Sequence, residues 1–225
     1  MKILLIADKE IPKLWEQWNE TRAEELRDVG LILSAGDLDP DYLQFLVTML
    51  NVPLLYVPGN HDSMYDERPP LGCVNIDGLV CELRVGKGRL VRVAGLGGSM
   101  RYRSGDNMYS EREMSLRAAR LALRLKTGRY TDLDGRVRRR SRGRQEDEAG
   151  CVRILLTHAP SLGHGDLEDL PHRGFACFNR LIEKWQPDYH CYGHVHMEYG
   201  RIKRLSTHPS GTQLINANGM YLLEI

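Results

Sequence analysis

The chain has 225 residues, 42% hydrophobic and 27% charged, with a formal net charge of +1. That is ordinary for a soluble globular protein and long enough for one α/β domain spanning 1–225 with a real core. It gives no global charge pull toward nucleic acid or membrane. The five cysteines (Cys73, Cys81, Cys151, Cys177 and Cys191) are odd in number and lack C-x-x-C spacing, which predicts reduced thiols in a cytoplasmic protein. No apolar run approaches a membrane span, and the six-residue run before Asp8 is too short for a signal peptide.

Lys2 to Ala7 is apolar on both faces and predicts a central strand that ends at Asp8-Lys9-Glu10. Pro12 opens a helical pattern through Leu14, Trp15, Trp18, Ala23, Leu26 and Val29, closed by Gly30. Leu31-Ile32-Leu33 is the next strand, ending at Gly36-Asp37, and Asp41 to Leu50 has helical spacing. Val52 to Val57 is a third strand, running into Pro58-Gly59-Asn60-His61-Asp62. Gly59 permits a sharp turn and a close backbone approach. Asn60, His61 and Asp62 then offer an amide oxygen, a ring that titrates near neutrality and a carboxylate able to orient it. On its own this is also a common polar turn.

The middle reads as a β-hairpin, Leu79–Val85 and Leu90–Gly95 around Gly86-Lys87-Gly88. Gly95, Gly97 and Gly98 lack the spacing of a dinucleotide fingerprint. Ser110-x-x-Glu113 is a capping box that opens a helix. Residues 128–150 read as a charged insertion loop: Arg136, Arg138, Arg139, Arg140, Arg142 and Arg144 are followed by Glu146, Asp147 and Glu148. With no aromatic residue interleaved, a solvated, self-neutralising loop is favoured over a nucleic-acid contact. Val152 to Thr157 is a strand ending at His158, and Gly174 to Trp185 a helix. Asp188 to Tyr192 is a strand ending at Gly193-His194-Val195-His196, and β-like runs at Gln213–Ala217 and Met220–Ile225 close the chain.

Ligands of α/β sheets bind beyond the carboxyl ends of strands, where Asp8, Asp37, Asn60, His61, His158, His194 and His196 all fall. Carboxylates, an amide and imidazoles suit first-row divalent metals, and a carboxylate can bridge two ions in a phosphoryl-hydrolysing centre.

The ordered set Asp8, Gly36-Asp37, Gly59-Asn60-His61-Asp62, His158 and Gly193-His194-Val195-His196 resembles the calcineurin-like metallophosphoesterases, in particular their smaller bacterial members. The resemblance implies a four-layer α/β/β/α sandwich with a dinuclear centre of divalent ions at the strand ends. Mn²⁺ is favoured, with Fe, Zn, Ni or Mg as alternatives. By position, Asp8 and His196 would hold metal one and Asp37 would bridge. Asn60, His158 and His194 would hold metal two. His61 would face the leaving-group oxygen, steadied by Asp62. The implied reaction is hydrolysis of a small phosphomonoester or phosphodiester, a nucleotide among the candidates, by in-line attack of a hydroxide bridging the metals.

One position departs from the family pattern, which usually has Asp-x-His where this chain has Asp8-Lys9-Glu10. Glu10 is read as a metal-one ligand or a water-linked neighbour of it, because an extended chain would turn residues 8 and 10 to the same side. The rival is a solvent-facing Glu10 near Lys9 or Lys13. His164, Asp166, Asp169 and His172 are read as substrate or supporting groups, or simply polar loop residues; His190 and His208 have no argued role. Two other functions stand beside the enzyme: a non-catalytic phosphate-binding module with a weakened metal-one site, and a nuclease using Arg136–Arg144.

Overall fold

The computed structural model describes residues 1–139, 150–200 and 202–225. The first part of the chain forms β1 (Lys2–Ala7), α1 (Glu20–Glu25), β2 (Val29–Ser34), α2 (Pro40–Leu50), β3 (Leu54–Tyr56) and β4 (Val74–Asn75). The middle forms β5 (Val80–Val85), β6 (Arg89–Leu96), β7 (Ser99–Met100), β8 (Met108–Tyr109), α3 (Glu111–Thr127), β9 (Arg129–Thr131) and β10 (Val137–Arg139). The last part forms β11 (Val152–Thr157), α4 (Ala176–Trp185), β12 (Tyr189–Tyr192), β13 (Leu205–Thr207), β14 (Gln213–Asn216) and β15 (Gly219–Glu224).

Two sheets hold the molecule together. The first has the order β15-β1-β2-β3-β4, and the second β10-β9-β5-β6-β11-β12-β14-β13. Strand alternation decides what each face meets. Ile3, Leu5 and Ala7 of β1 pack with Leu31 and Leu33 against Val91, Val93, Ile154 and Leu156 of the second sheet. Leu4 and Ile6 face the other way, onto Tyr42, Leu43 and Leu46 of α2. The outer face of the second sheet, through Ala94, Leu96, Leu155 and Leu214, packs on Met114, Ala118 and Leu121 of α3 and Phe178, Leu181 and Ile182 of α4. The result is the expected four-layer α/β/β/α sandwich. Local signals agree with it: Ser110 and Glu113 form the reciprocal capping box of α3. Asp39 caps α2, whose first turn begins at Pro40.

Two expectations differ from the structure. The continuous helix from Pro12 to Val29 is instead a short 3₁₀ turn at Pro12–Leu14, a connecting segment, and the six-residue α1. Trp15 and Trp18 leave the helical path to pack on Tyr42 and Phe45, with ring centroids 5.5–5.8 Å apart. Asn19 caps a new start by accepting from the Arg22 N–H, and Val29 and Gly30 already belong to β2. The segment from residue 128 does not begin as a loop either. β9 and β10 form a hairpin that extends the second sheet, with Thr131 opposite Cys81. Arg138 donates to Asp132 there at 3.0 Å. Arg140, Arg142, Arg144, Glu146, Asp147 and Glu148 lie outside the described residues. β13, an edge strand paired with β14, was not expected from the sequence.

Candidate metal centre

The parallel strands β1, β2, β3, β11 and β12 all direct their carboxyl ends toward one edge of the sandwich. Six non-glycine residues among those described have positive φ: Asp8, Asp37, Asn51, Asn107, Gln186 and His194. Asn51 and Gln186 are the left-handed caps that end α2 and α4. Asp8, Asp37 and His194, at φ 61°, 57° and 69°, are instead where strands break toward the edge. Backbone strain of this kind collects at functional sites.

Close backbone packing draws these loops together. A methyl group on Gly59 would lie 2.0 Å from Asp37 Oδ1 and 2.7 Å from His158 Cε1, so only glycine lets the β3 loop reach the other two strand ends. The His61 N–H donates to Asp37 Oδ1 at 2.8 Å, and the His194 N–H to Asp8 Oδ1 at 2.8 Å. Asn218 Nδ2 donates to Asp8 Oδ2 at 3.2 Å.

Asp37, His158 and His194 bring ligand atoms within 4.8 Å of one another. His158 is fully buried, its Nδ1 lying 2.7 Å from the Ala35 carbonyl oxygen. Its Nε2 lies 3.0 Å from Asn60 Oδ1 and 3.4 Å from Asp37 Oδ2. Burial opposes charge on this ring, but Asp37, Asp8 and the Ala35 carbonyl outweigh it and raise its pKa. His194 Nε2 lies 2.7 Å from the Pro171 carbonyl oxygen, leaving Nδ1 for another partner. Burial, then the neighbouring His158, pushes the His194 pKa down to about 3. Burial pushes the Asp8 carboxyl up. Asp37, His158 and His194 thus offer a carboxylate and two imidazoles to one point, with the Asn60 amide oxygen beside His158. Such a donor set fits a divalent cation, and backbone-oriented imidazoles are the usual support of one.

Asp8, Asp37, Asn60, His61, His194 and His196 line one cavity of about 330 Å³, together with Tyr102, Pro171, His172 and Tyr199. A larger cavity of about 570 Å³ lies elsewhere, around Met1, Arg27, Lys87, Arg89 and Ile225, and contains none of these groups.

Two residues are placed otherwise than expected. Asp62 does not steady His61: its Oδ2 accepts from the N–H groups of Asp37, at 2.8 Å, and Gly59, at 2.7 Å. It ties the β2 loop to the β3 loop from within, and burial beside Asp37 pushes its pKa up to about 6. Glu10 is not brought to the cavity. Asp8 adopts a left-handed conformation and the Lys9 N–H folds back to the Ala7 carbonyl at 2.6 Å, so residues 8 and 10 do not share a face of an extended chain. The exposed Glu10 turns its Oε1 toward the Asp39 N–H at 3.4 Å, and Lys9 pairs instead with Glu198 at 2.7 Å.

Among the accessory loop residues, Asp166 accepts from the Gly163 and Gly174 N–H groups, and Asp169 holds His172 at 2.6 Å. The sequence reading missed Tyr102, Tyr199 and Asn218; only Asn218, two residues past the polar Asn216 at a strand end, carried a local signal. Among the described residues no helix is long and apolar enough to cross a membrane.

Comparison with known proteins agrees with this geometry. The Calcineurin-like phosphoesterase family model matches residues 1–198. Among curated proteins of Caenorhabditis elegans, UPF0046 protein T07D4.2 is 42% identical over 52 residues, 22% of this chain and 13% of that protein. UPF0046 protein K07C11.7 is 33% identical over 73 residues, 29% of this chain and 25% of that protein. The chain thus spans at most a quarter of the length of these two relatives. The crystal structure of TT1561 from Thermus thermophilus aligns with a TM-score of 0.56 at 15% identity, covering 97% of this chain and 89% of its own. Another crystal structure aligns at 0.57, also at 15% identity, over 99% and 94%. These two alignments speak for the fold.

Proposed function

Because the chain belongs to the calcineurin-like phosphoesterases, a family of metal-dependent phosphoesterases, we propose that it hydrolyses a small phosphate monoester or diester at the cavity described above. The observation that carries this reading is the convergence of Asp37, His158 and His194 within 4.8 Å, with both imidazoles oriented by backbone carbonyls. Asn60, His158 and His194 would hold one ion, Asp8 and His196 a second, and Asp37 would lie between them. When bound, the ions supply the charge that acidifies water and neutralises phosphate oxygens.

The protein's own groups do the rest. The Ala35 and Pro171 carbonyls hold one nitrogen of His158 and of His194, which turns the other nitrogen of His158 toward Asn60 and Asp37. Asp62 fixes the Asp37 and Gly59 backbones and thereby the spacing of the two loops. His61, exposed at the cavity wall and held by its backbone to Asp37, would protonate or stabilise the departing ester oxygen. Mn²⁺ is favoured by the mixed oxygen and nitrogen donors.

Metal removal tests the reading. Chelator-stripped protein is expected to lose hydrolysis of an aryl phosphate ester and to recover it on addition of Mn²⁺. Full activity in protein shown by elemental analysis to be metal-free would overturn the proposal.

A further inference from the structure

The cavity is walled by more rings than metal binding uses. Tyr102 comes from the loop after β7, His172 from the loop after β11 and Tyr199 from the segment after β12. Tyr199 stacks on His196 with centroids 4.8 Å apart and planes 3° apart, and His172 meets it edge-on at 4.9 Å and 62°. Tyr199 is nevertheless 48% exposed and lines the cavity. His172 does not swing freely, because its Nδ1 is held by Asp169, and Asp166 braces the ends of the same loop. The Arg103 guanidinium lies 5.4 Å from the Tyr102 centroid, adding a cation beside that ring. A short aliphatic alcohol needs none of this. Preordered flat rings around a phosphate site are what a planar π-system recognises.

We propose that Tyr102, His172 and Tyr199 form a subsite for a planar aromatic group esterified to the phosphate, so that the substrates are aryl or nucleoside phosphate esters. This rests on the phosphoesterase reading and specifies its substrate class. A volume of about 330 Å³ lies at the low end for small-molecule sites, which suits one ring beside one phosphoryl group and not a row of stacked bases.

Phosphonates separate ring binding from turnover because their P–C bond is not hydrolysed. Calorimetry of the Mn²⁺-loaded protein should show phenylphosphonate binding more tightly than methylphosphonate, by roughly 5- to 150-fold from the usual cost of removing a stacking ring. Tyr102→Ala and Tyr199→Ala should each move that ratio toward one, and Tyr199→Phe should restore it. The kcat/KM ratios of phenyl phosphate and of a purine nucleoside 5′-monophosphate to glycerol phosphate then tell the two ring sources apart. The variants should depress the ratio for whichever ring occupies the subsite. Equal affinities of the two phosphonates in the wild type, alongside measurable metal-dependent hydrolysis, would overturn the subsite and leave the phosphoesterase reading standing. Failure of both phosphonates to bind, with no ester hydrolysed, would overturn both.

Discussion

His158 follows the end of β11 and His190 lies within the neighbouring strand β12, and both are fully buried. His158 sits among Asp37, Asp8, Asn60 and the Ala35 carbonyl, and its pKa is raised. His190 has the Thr157 hydroxyl 2.8 Å from Nε2, no partner for Nδ1, and the rings of Phe178 and Tyr192 around it. Burial, followed by the two imidazoles His208 and His164, pushes its pKa down to about 3. The comparison separates burial from function. A buried imidazole without a carboxylate is a neutral packing residue, and only the carboxylates collected from β1 and β2 make its counterpart a candidate ligand.

The sharpest way to break that contrast is to give His158 surroundings more like those of His190. Asp37→Asn removes the nearest carboxylate while keeping its shape. Elemental analysis should show loss of bound metal, with affinity falling by at least about 10²-fold, since changes to outer-shell groups alone cost 10–100-fold. Unchanged stoichiometry would mean that the carboxylate does not hold the ion. His61→Ala tests the exposed member of the set. Turnover should fall on the order of 10²–10⁴-fold, the range of general-acid catalysis, with metal content retained. Loss of metal in that variant would reassign His61 to the ligand shell.

The packed member of the pair predicts a pH effect on stability. The folded pKa of His190, about 3, lies below its ordinary value of 6.5. Between those limits the unfolded chain binds a proton that the native state excludes. Its contribution to stability is therefore full above pH 6.5 and is lost as pH falls toward 3, with a slope of at most about 1.4 kcal/mol per pH unit. Urea unfolding at several pH values should show a shallower decline for His190→Gln, which can keep a contact to Thr157 but carries no titrating ring. Parallel wild-type and variant curves would show that His190 does not carry this linkage.

The sequence made the candidate ligand positions legible because each lies at the end of a largely apolar strand and breaks it with a polar group, as at Ala7-Asp8, Thr157-His158 and Gly193-His194. The four layers came with the family resemblance, while the residues themselves show that β1 is apolar on both faces, which requires a covered sheet. What depends on distant packing was hidden. Trp15 and Trp18 continue a helical period in sequence yet serve as the lid of α2. β9 and β10 are polar and join only an edge, so neither shows the alternation of a half-buried strand. Tyr102 and Tyr199 meet at the cavity although 97 residues apart, in loops whose sequences do not announce a shared wall. Asp62 was read as a partner of its chain neighbour because adjacency suggests it, whereas its carboxylate is taken by two backbone N–H groups.

The smallest expected effect belongs to Glu10. The spacing argument assumed an extended chain beyond Asp8, and the left-handed Asp8 removes that premise. The side chain is exposed, and its Oε1 faces the N–H of Asp39, the residue that caps α2. A carboxylate there is favourably placed against the positive end of the helix, and such surface contacts change stability little. Glu10→Ala should therefore keep wild-type metal stoichiometry and turnover within about twofold, as surface substitutions away from a site usually do. Glu10→His sharpens the question, because the family pattern places an imidazole at this position. If side chains at position 10 face α2, the substitution should leave the preference among Mn²⁺ and Zn²⁺ unchanged. A gain of Zn²⁺ in that variant, or loss of an ion in Glu10→Ala, would show that position 10 reaches the centre after all. The second ion would then depend on a ligand beyond Asp8, Asp37 and His196.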